Sequence, residues 1–132
     1  MKDTTQRVTG KYAWPQAQLA SALEEIWRTC REPNWDGHGA LPMGADIIAL
    51  AHWVVRSLPT TIPAPELGVE PDGQITLEWY RSPTRLLSVS IDPVGVLHYA
   101  ATLGGRARYG TEPFLGGFPL GLSALVYQVM DL

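Results

Sequence analysis

The sequence predicts an α+β fold with two N-terminal helices, an antiparallel meander of three to four strands and a C-terminal helix, the helices packed on one sheet face. Three patterns predict it. Apolar residues recur at helical spacing in two segments before residue 60, alternate with polar residues from 66 to 101, and regain helical spacing after Pro119. Helices placed outside a run of strands are typical of α+β proteins. The 132 residues, 45% of them hydrophobic, suffice for a single domain spanning residues 1–132.

Two amphipathic helices are expected ahead of the strands, at residues 16–31 and 44–58. Pro33 and Pro59 end them, because proline cannot continue a helix. The apolar positions that repeat every three or four residues are Leu19, Leu23, Ile26, Cys30, Ile47, Ala51, Val54, Val55 and Leu58. Residues 1–13 are polar and unpatterned, and we expect them to form a flexible arm.

The strands are predicted from alternation with a period of two residues. Residues 74–81 and 85–91 alternate cleanly, and shorter strands are expected at residues 66–70 and 96–101. A Pro-Asp-Gly turn signal at residues 71–73 separates the first two strands. The apolar face carries Ile75, Leu77, Trp79, Leu87, Val89 and Ile91. The opposite, mixed face carries Glu78, Tyr80, Leu86, Ser88, Ser90 and His98.

The glycine-rich residues 104–117 are expected to form an irregular interaction loop. This segment contains Arg106 and Arg108, but it lacks the Lys and Ser/Thr of a phosphate-binding P-loop. Pro119 then suits the first turn of a last helix. The apolar positions of that helix are Leu122, Leu125, Val126 and Val129.

Composition excludes several classes of protein. Ten basic and thirteen acidic residues give a net charge of −3 without a basic cluster, so direct binding of nucleic acid is not expected. The single cysteine, Cys30, excludes an internal disulfide and a cysteine-based zinc site. Residues 1–10 contain no apolar run, and no stretch approaches the roughly 20 apolar residues of a membrane span. We therefore expect a cytoplasmic protein without cofactor or metal.

Residues 34–42 combine an indole, a carboxylate, an imidazole and two glycines between the first two helices. In the structural interpretation, Asp36 and Gly37 form a turn and Gly39 adopts a backbone geometry closed to other residues. The side chain of Asn34 or Asp36 can accept hydrogen bonds from nearby backbone N–H groups. Trp35 is then expected to pack between the two helices. The sequence favours this interpretation.

The alternative makes Asp36 and His38 an acid–base or metal pair. Folding would have to bring Glu78 or His98 close to them, because a metal site needs at least one further ligand. The function that follows is a small metal-dependent hydrolase or nuclease. An Asp-x-His spacing is a weak signal on its own, so we expect no catalytic residue and no metal ligand here.

The motif Asn34-Trp35-Asp36-Gly37-x-Gly39-Ala40-x-Pro42 resembles a signature of a family of small, uncharacterised bacterial and phage proteins. In that family a hairpin similar to Asp72-Gly73-x-Ile75-x-Leu77-Glu78-Trp79 follows. The resemblance covers roughly residues 33–99. It implies the same fold but no catalytic residues, since the family has no activity to transfer. It also implies cargo of a mobile element, with a role in phage–host conflict such as inhibiting a host defence complex.

The mixed face of the sheet allows three interpretations. Ser88 and Ser90 near Glu78 and His98 suggest hydrolase chemistry, although neither serine lies in a Gly-x-Ser-x-Gly context. A solvated outer face is the ordinary arrangement in antiparallel sheets. The third is a binding surface, for which Tyr80 supplies apolar character. The binding residues expected are Tyr80, Leu86, Ser88, His98, Arg106 and Arg108.

Together these observations predict a non-catalytic module that binds another protein. A self-associating structural protein that buries the mixed face across a two-fold axis is the other non-enzymatic alternative. Among the aromatic residues, Trp27, Trp35, Trp53 and Trp79 are expected in the core, whereas Trp14 precedes its helix and is the exception.

Overall fold

The chain folds into one antiparallel sheet with helices on one of its faces. The computed structural model describes residues 6–7 and 16–132. The elements in this part of the chain are β1 (Gln6–Arg7), a 3-10 turn (Gln16–Gln18), α1 (Leu19–Cys30), α2 (Ala45–Arg56), β2 (Glu66–Val69), β3 (Ile75–Ser82), β4 (Arg85–Ile91), β5 (Val96–Leu103), β6 (Arg106–Pro113) and α3 (Leu120–Met130). The predicted α+β class, with its order of helices, strands and helix, is confirmed.

The sheet contains more strands than predicted. Its strand order follows the chain from β1 to β6, and every neighbouring pair is antiparallel. Strands β2 to β6 form a five-stranded meander, so the expected number of three to four is too low. The predicted arm at residues 1–13 lies outside the described residues apart from β1, which pairs with Gly68 and Val69 of β2. Trp14 also lies outside them.

The additional strand is β6, which occupies the segment predicted to be an irregular loop. A two-residue turn made by Gly104 and Gly105 connects it to β5, and Gly104 has a φ of +66° that favours glycine. The strand carries Arg106, Arg108 and Glu112 at alternate positions. Apolar residues alternate here only at Ala107 and Tyr109, so the pattern that revealed the other strands is too short to predict this one.

The apolar face of the sheet forms the core, as predicted. Helix α3 packs across β3, β4 and β5, α2 contacts β3 and β4, and α1 packs against α2. All six predicted apolar-face residues are buried, and burial of each such side chain stabilises the fold by about 1.5–3 kcal/mol. The indole of Trp79 also donates a hydrogen bond to Pro63 O at 2.8 Å, which ties the proline-rich connection to the sheet.

Two arginines hold the C-terminal end of α3 against the sheet. The guanidinium of Arg85 donates hydrogen bonds to Val129 O at 3.2 Å and to Gln128 O, and Arg81 donates to Met130 O at 2.8 Å. The last carbonyls of a helix have no partners within it and carry the negative end of its dipole. These arginines supply both hydrogen bonds and positive charge at that end.

The expected burial of the tryptophans holds for Trp79 but not for Trp53. Trp79 is buried, while Trp27 and Trp35 are half-buried against the core. Trp53 is 52% exposed. Its position lies outside the stripe of α2 that faces the sheet, so the indole remains on the surface.

Candidate functional site

Residues 34–42 form a self-bonded loop. Asn34, Gly37 and Gly39 all have positive φ angles, of 57°, 76° and 80°. Asn34 N donates to Ala40 O at 2.8 Å, and the Asn34 side-chain oxygen accepts a hydrogen bond from Gly39 N at 2.6 Å. The loop therefore closes on itself through Asn34, and the two glycines supply backbone conformations that other residues rarely adopt.

The carboxylate of Asp36 bonds to the backbone of the same loop. Its Oδ1 accepts hydrogen bonds from His38 N at 2.8 Å and Ala40 N at 3.0 Å. The bond from His38 N is the main reason that the pKa of Asp36 is lowered, with the Ala40 bond adding to it against a smaller effect of desolvation. A carboxylate held in this way is a poor general base at neutral pH, because its proton affinity is reduced.

Trp35 anchors the loop, and neighbouring backbone bonds fix its position in the fold. The indole is half-buried and donates to Leu41 O at 2.8 Å. Leu41 N donates to Pro71 O and Met43 N to Cys30 O, both at 2.8 Å. The loop thus joins the end of α1 to the β2–β3 turn.

His38 does not join a cluster of ligands. Its side chain is exposed at the tip of the loop. Within the described residues, no three His, Cys, Asp or Glu side chains lie close enough together to hold a metal ion. Asp36 and His38 therefore do not gain Glu78 or His98 as a third ligand in this arrangement.

The mixed face is the side of the sheet that the described helices leave uncovered, and we call it the outer face. Strand register places its side chains in rows: Tyr80 faces Leu86, Ser88 faces Ala100, and Ala100 faces Tyr109. Tyr80 is 51% exposed and Tyr109 is 76% exposed. The described outer-face residues of β3 to β6 are Thr76, Glu78, Tyr80, Leu86, Ser88, Ser90, Val96, His98, Ala100, Thr102, Ala107, Tyr109 and Thr111.

Of the predicted binding residues, four share this face and two do not. Tyr80, Leu86, Ser88 and His98 lie on it. Arg108 is paired with Ala101 and therefore points to the side of the sheet that carries the helices, as Arg106 does. Arg108 lines a cleft of about 270 Å³ between β6 and α3, together with Tyr99, Glu112, Gly121, Leu122, Ala124, Leu125 and Gln128.

His98 is paired with Asp92, which lies in the turn between β4 and β5. Asp92 Oδ2 lies 2.8 Å from His98 Nε2, and its Oδ1 accepts hydrogen bonds from Val94 N and Val96 N, both at 3.0 Å. Desolvation raises the pKa of Asp92, but the bonds from His98, Val96 and Val94 outweigh it, so the pKa is lowered overall. An Asp-Pro-x-Gly turn followed by a histidine on the next strand was the available signal.

The pairing of His98 with Asp92 resembles two members of a hydrolase triad, but the third is not engaged. Ser90 lies directly across from His98 in the sheet. No hydrogen bond joins their side chains, and the Nε2 atom of His98, which contacts the serine in a triad, contacts Asp92 instead. A nucleophilic serine needs such a bond to its base. The arrangement therefore holds the β4–β5 turn in place.

The exposed surface around Trp53 was not predicted from the sequence. The Trp53 ring meets Phe114 edge to face, with centroids 5.7 Å apart. Leu115, in the connection from β6 to α3, and Leu120, the first residue of α3, are each 87% exposed. The sequence predicted Trp53 in the core and therefore did not indicate this surface.

Comparisons of the chain with protein-family models, with curated proteins and with solved structures find no match. None of the described helices combines the length and apolar character needed to cross a membrane.

Replacing Trp35 by Ala should lower the free energy of unfolding by about 2 kcal/mol, because a half-buried indole and its hydrogen bond are both lost. Trp35→Phe should cost less, about 1 kcal/mol, since the hydrogen bond is lost but most of the apolar contact is kept. His38→Ala is the matched control within the loop and should change stability by less than about 0.5 kcal/mol. Urea unfolding measures all three. A large effect of His38→Ala, or none of Trp35→Ala, would contradict the structural role of the loop.

The lowered pKa of Asp92 predicts a pH dependence of stability. A carboxyl group whose folded-state pKa lies below its ordinary value of 3.8 stabilises the fold above that value, and the contribution is lost as pH falls through the folded-state pKa. Asp92→Asn should therefore reduce stability by about 1–2 kcal/mol at pH 7 and make little difference near pH 2. Asp72→Asn is the control, because Asp72 also accepts a backbone N–H in a turn. Equal effects of Asp92→Asn at both pH values would contradict this account.

Proposed function

We propose that this protein is a non-catalytic module that binds another protein through the outer face of its sheet. The observation that supports the proposal is the strand register, which brings Tyr80, Leu86, Ser88 and His98 onto one surface that none of the described helices covers. A further tyrosine, Tyr109, extends the surface to β6.

The chemistry of this surface fits a flat protein partner. Its centre consists of small side chains such as Ser88, Ala100 and Thr102, which allow close approach of another backbone and offer hydroxyl groups for hydrogen bonds. Tyr80 and Tyr109 lie at its margins, and tyrosine combines a large apolar contact area with a polar end. Because few of these residues are charged, little desolvation energy opposes association.

A hydrolase or nuclease using Asp36 and His38 is the less supported alternative. The Asp36 carboxylate already accepts two backbone N–H groups, and His38 is exposed without a described ligand beside it. The Asp92 carboxylate that contacts His98 also accepts a hydrogen bond from the backbone of the β4–β5 turn, so this pair stabilises the turn. Self-association through the outer face is the other alternative, and the experiment below separates it from binding of a different protein.

The nature of the partner is proposed from the family resemblance of the 34–42 motif. We propose a bacterial host protein, such as a component of a defence complex, met in the cytoplasm by a protein that a phage or mobile element carries. A net charge of −3 supports a protein partner over a nucleic acid.

A photoreactive amino acid placed at Leu86 tests this proposal in cells of the native host. Irradiation should yield one discrete adduct with another protein, because Leu86 lies within the outer face. The same amino acid at Thr29, an exposed position of α1, is the matched control and should give no such adduct. Tyr80→Lys should reduce the Leu86 adduct at least tenfold, since interface aromatics carry much of the binding energy.

An adduct of the chain with itself alone would favour self-association through this face. The absence of any adduct at Leu86, or equal yields at Leu86 and Thr29, would refute the outer face as the binding surface.

A further inference from the structure

Strand β6 forms an uncovered edge of the sheet. It is the last strand in the sheet order, whereas β1 pairs with the outer edge of β2 on the other side. Within the described residues, no strand pairs with the far side of β6. Its register with β5 continues over eight residue pairs without a bulge. A long, regular edge of this kind readily pairs with another strand.

The backbone groups available at this edge follow from one hydrogen bond. Phe114 N donates to Gly95 O at 2.9 Å. Hydrogen-bonded pairs alternate along an antiparallel ladder, so the even-numbered residues of β6 bond to β5. The N–H and C=O groups of Ala107, Tyr109 and Thr111 therefore point away from the sheet.

The charges on β6 complement one another rather than protecting the edge by repulsion. Arg106, Arg108 and Glu112 project on the helix side of the sheet. Their side chains make no hydrogen bond or ion pair with the described residues. A strand carrying both signs of charge at alternate positions can satisfy them with an antiparallel copy of itself.

We propose that β6 pairs antiparallel with β6 of a second copy of this chain, on a two-fold axis at Tyr109. Tyr109 then faces the partner's Tyr109, and Ala107 faces the partner's Thr111. These are the residues whose backbone N–H and C=O groups point away from the sheet. The two-fold axis makes three facing pairs of them, and two hydrogen bonds for each pair give about six in the junction. On the other face, Arg106 lies opposite the partner's Glu112, which gives two ion pairs by symmetry.

Gly110 supports this register. A Cβ atom at Gly110 would lie 2.5 Å from the Tyr99 hydroxyl oxygen, so the tyrosine ring extends over the glycine toward the sheet edge. With the axis at Tyr109, the partner's Arg108 faces Gly110 and meets this ring. Arginine binds favourably beside an aromatic ring. The pairing also covers Tyr109, which is 76% exposed in one copy.

Neighbouring registers are less favourable. Facing residues in a sheet project to the same side, so outer-face residues of one copy must face outer-face residues of the other. This requires a two-fold axis that passes through a residue of β6, not between two residues. An axis at Arg108 sets two like charges directly opposite each other. An axis at Gly110 pairs Arg108 with Glu112, but it sets Ala107 against Pro113, which has no N–H to donate.

The mass of the full chain in solution, measured by sedimentation equilibrium, is the first test. The dimer should have twice the 14.5 kDa of the single chain. Glu112→Arg should raise the dimer dissociation constant at least tenfold, because two ion pairs become repulsive. The double variant Arg106→Glu with Glu112→Arg restores complementary charges and should recover the original constant to within about threefold.

Oxidative cross-linking tests the register. Tyr109→Cys places two cysteines about 5.5 Å apart between Cα atoms, within reach of a disulfide. Thr111→Cys is the matched control on the same strand and face, and it should not cross-link, because it faces the partner's Ala107. The native Cys30 is buried and should not contribute.

A monomer at all accessible concentrations would overturn the proposal, provided that the thermal melt shows a folded chain. A dimer with the same dissociation constant in the charge variants would also overturn it. Cross-linking of Thr111→Cys at least as efficient as that of Tyr109→Cys would refute the axis. The outer-face proposal can fail separately, because its test depends on Leu86 and Tyr80.

Discussion

Burial of one sheet face beneath α2 and α3 constrains the orientation of every residue along the central strands. Leu77, Trp79 and Val89 are buried in that core. Because side chains alternate along a strand, a slip of one residue would move these groups to the solvent side. The same constraint therefore fixes which residues lie outside. Ser88 and Leu86 share the outer face because their neighbours in the chain are buried.

The 34–42 loop illustrates how structural chemistry can resemble a site. Tight connections leave backbone N–H groups without partners, and short polar side chains supply acceptors for them. In this loop the side-chain oxygens of Asn34 and Asp36 accept such bonds, and Trp35 adds apolar contact with the core. The Asp36 carboxylate therefore has a structural role in closing the loop, and its spacing from His38 does not require a catalytic pair. The outer face of the sheet is the stronger candidate for recognition.

Sequence patterns predicted those parts of the fold in which burial creates a periodic signal. Strand β4 was predicted with its observed bounds, because Leu87 and its alternate neighbours are apolar. Strand β6 lacked that signal, since Arg106 and Arg108 on the helix side of the sheet remain exposed instead of entering the core. The exposure of Trp53 depends on how α2 is rotated against the sheet. The hydrogen bond between His98 and Asp92 depends on the pairing of the strands. Local patterns specify neither.

We propose that the outer face, rather than the exposed surface around Trp53, recognises the partner. Methyl NMR of the full, isotope-labelled chain in a lysate of native host cells distinguishes these two surfaces. Signals of Leu86 and Val96 should show the largest changes in chemical shift, because contact with the partner alters their surroundings. Those of Leu115 and Leu120 should show only the uniform broadening that slower tumbling of a larger complex gives to every signal. Large shift changes at Leu115 and Leu120, with Leu86 and Val96 merely broadened, would place the partner on the surface around Trp53 instead.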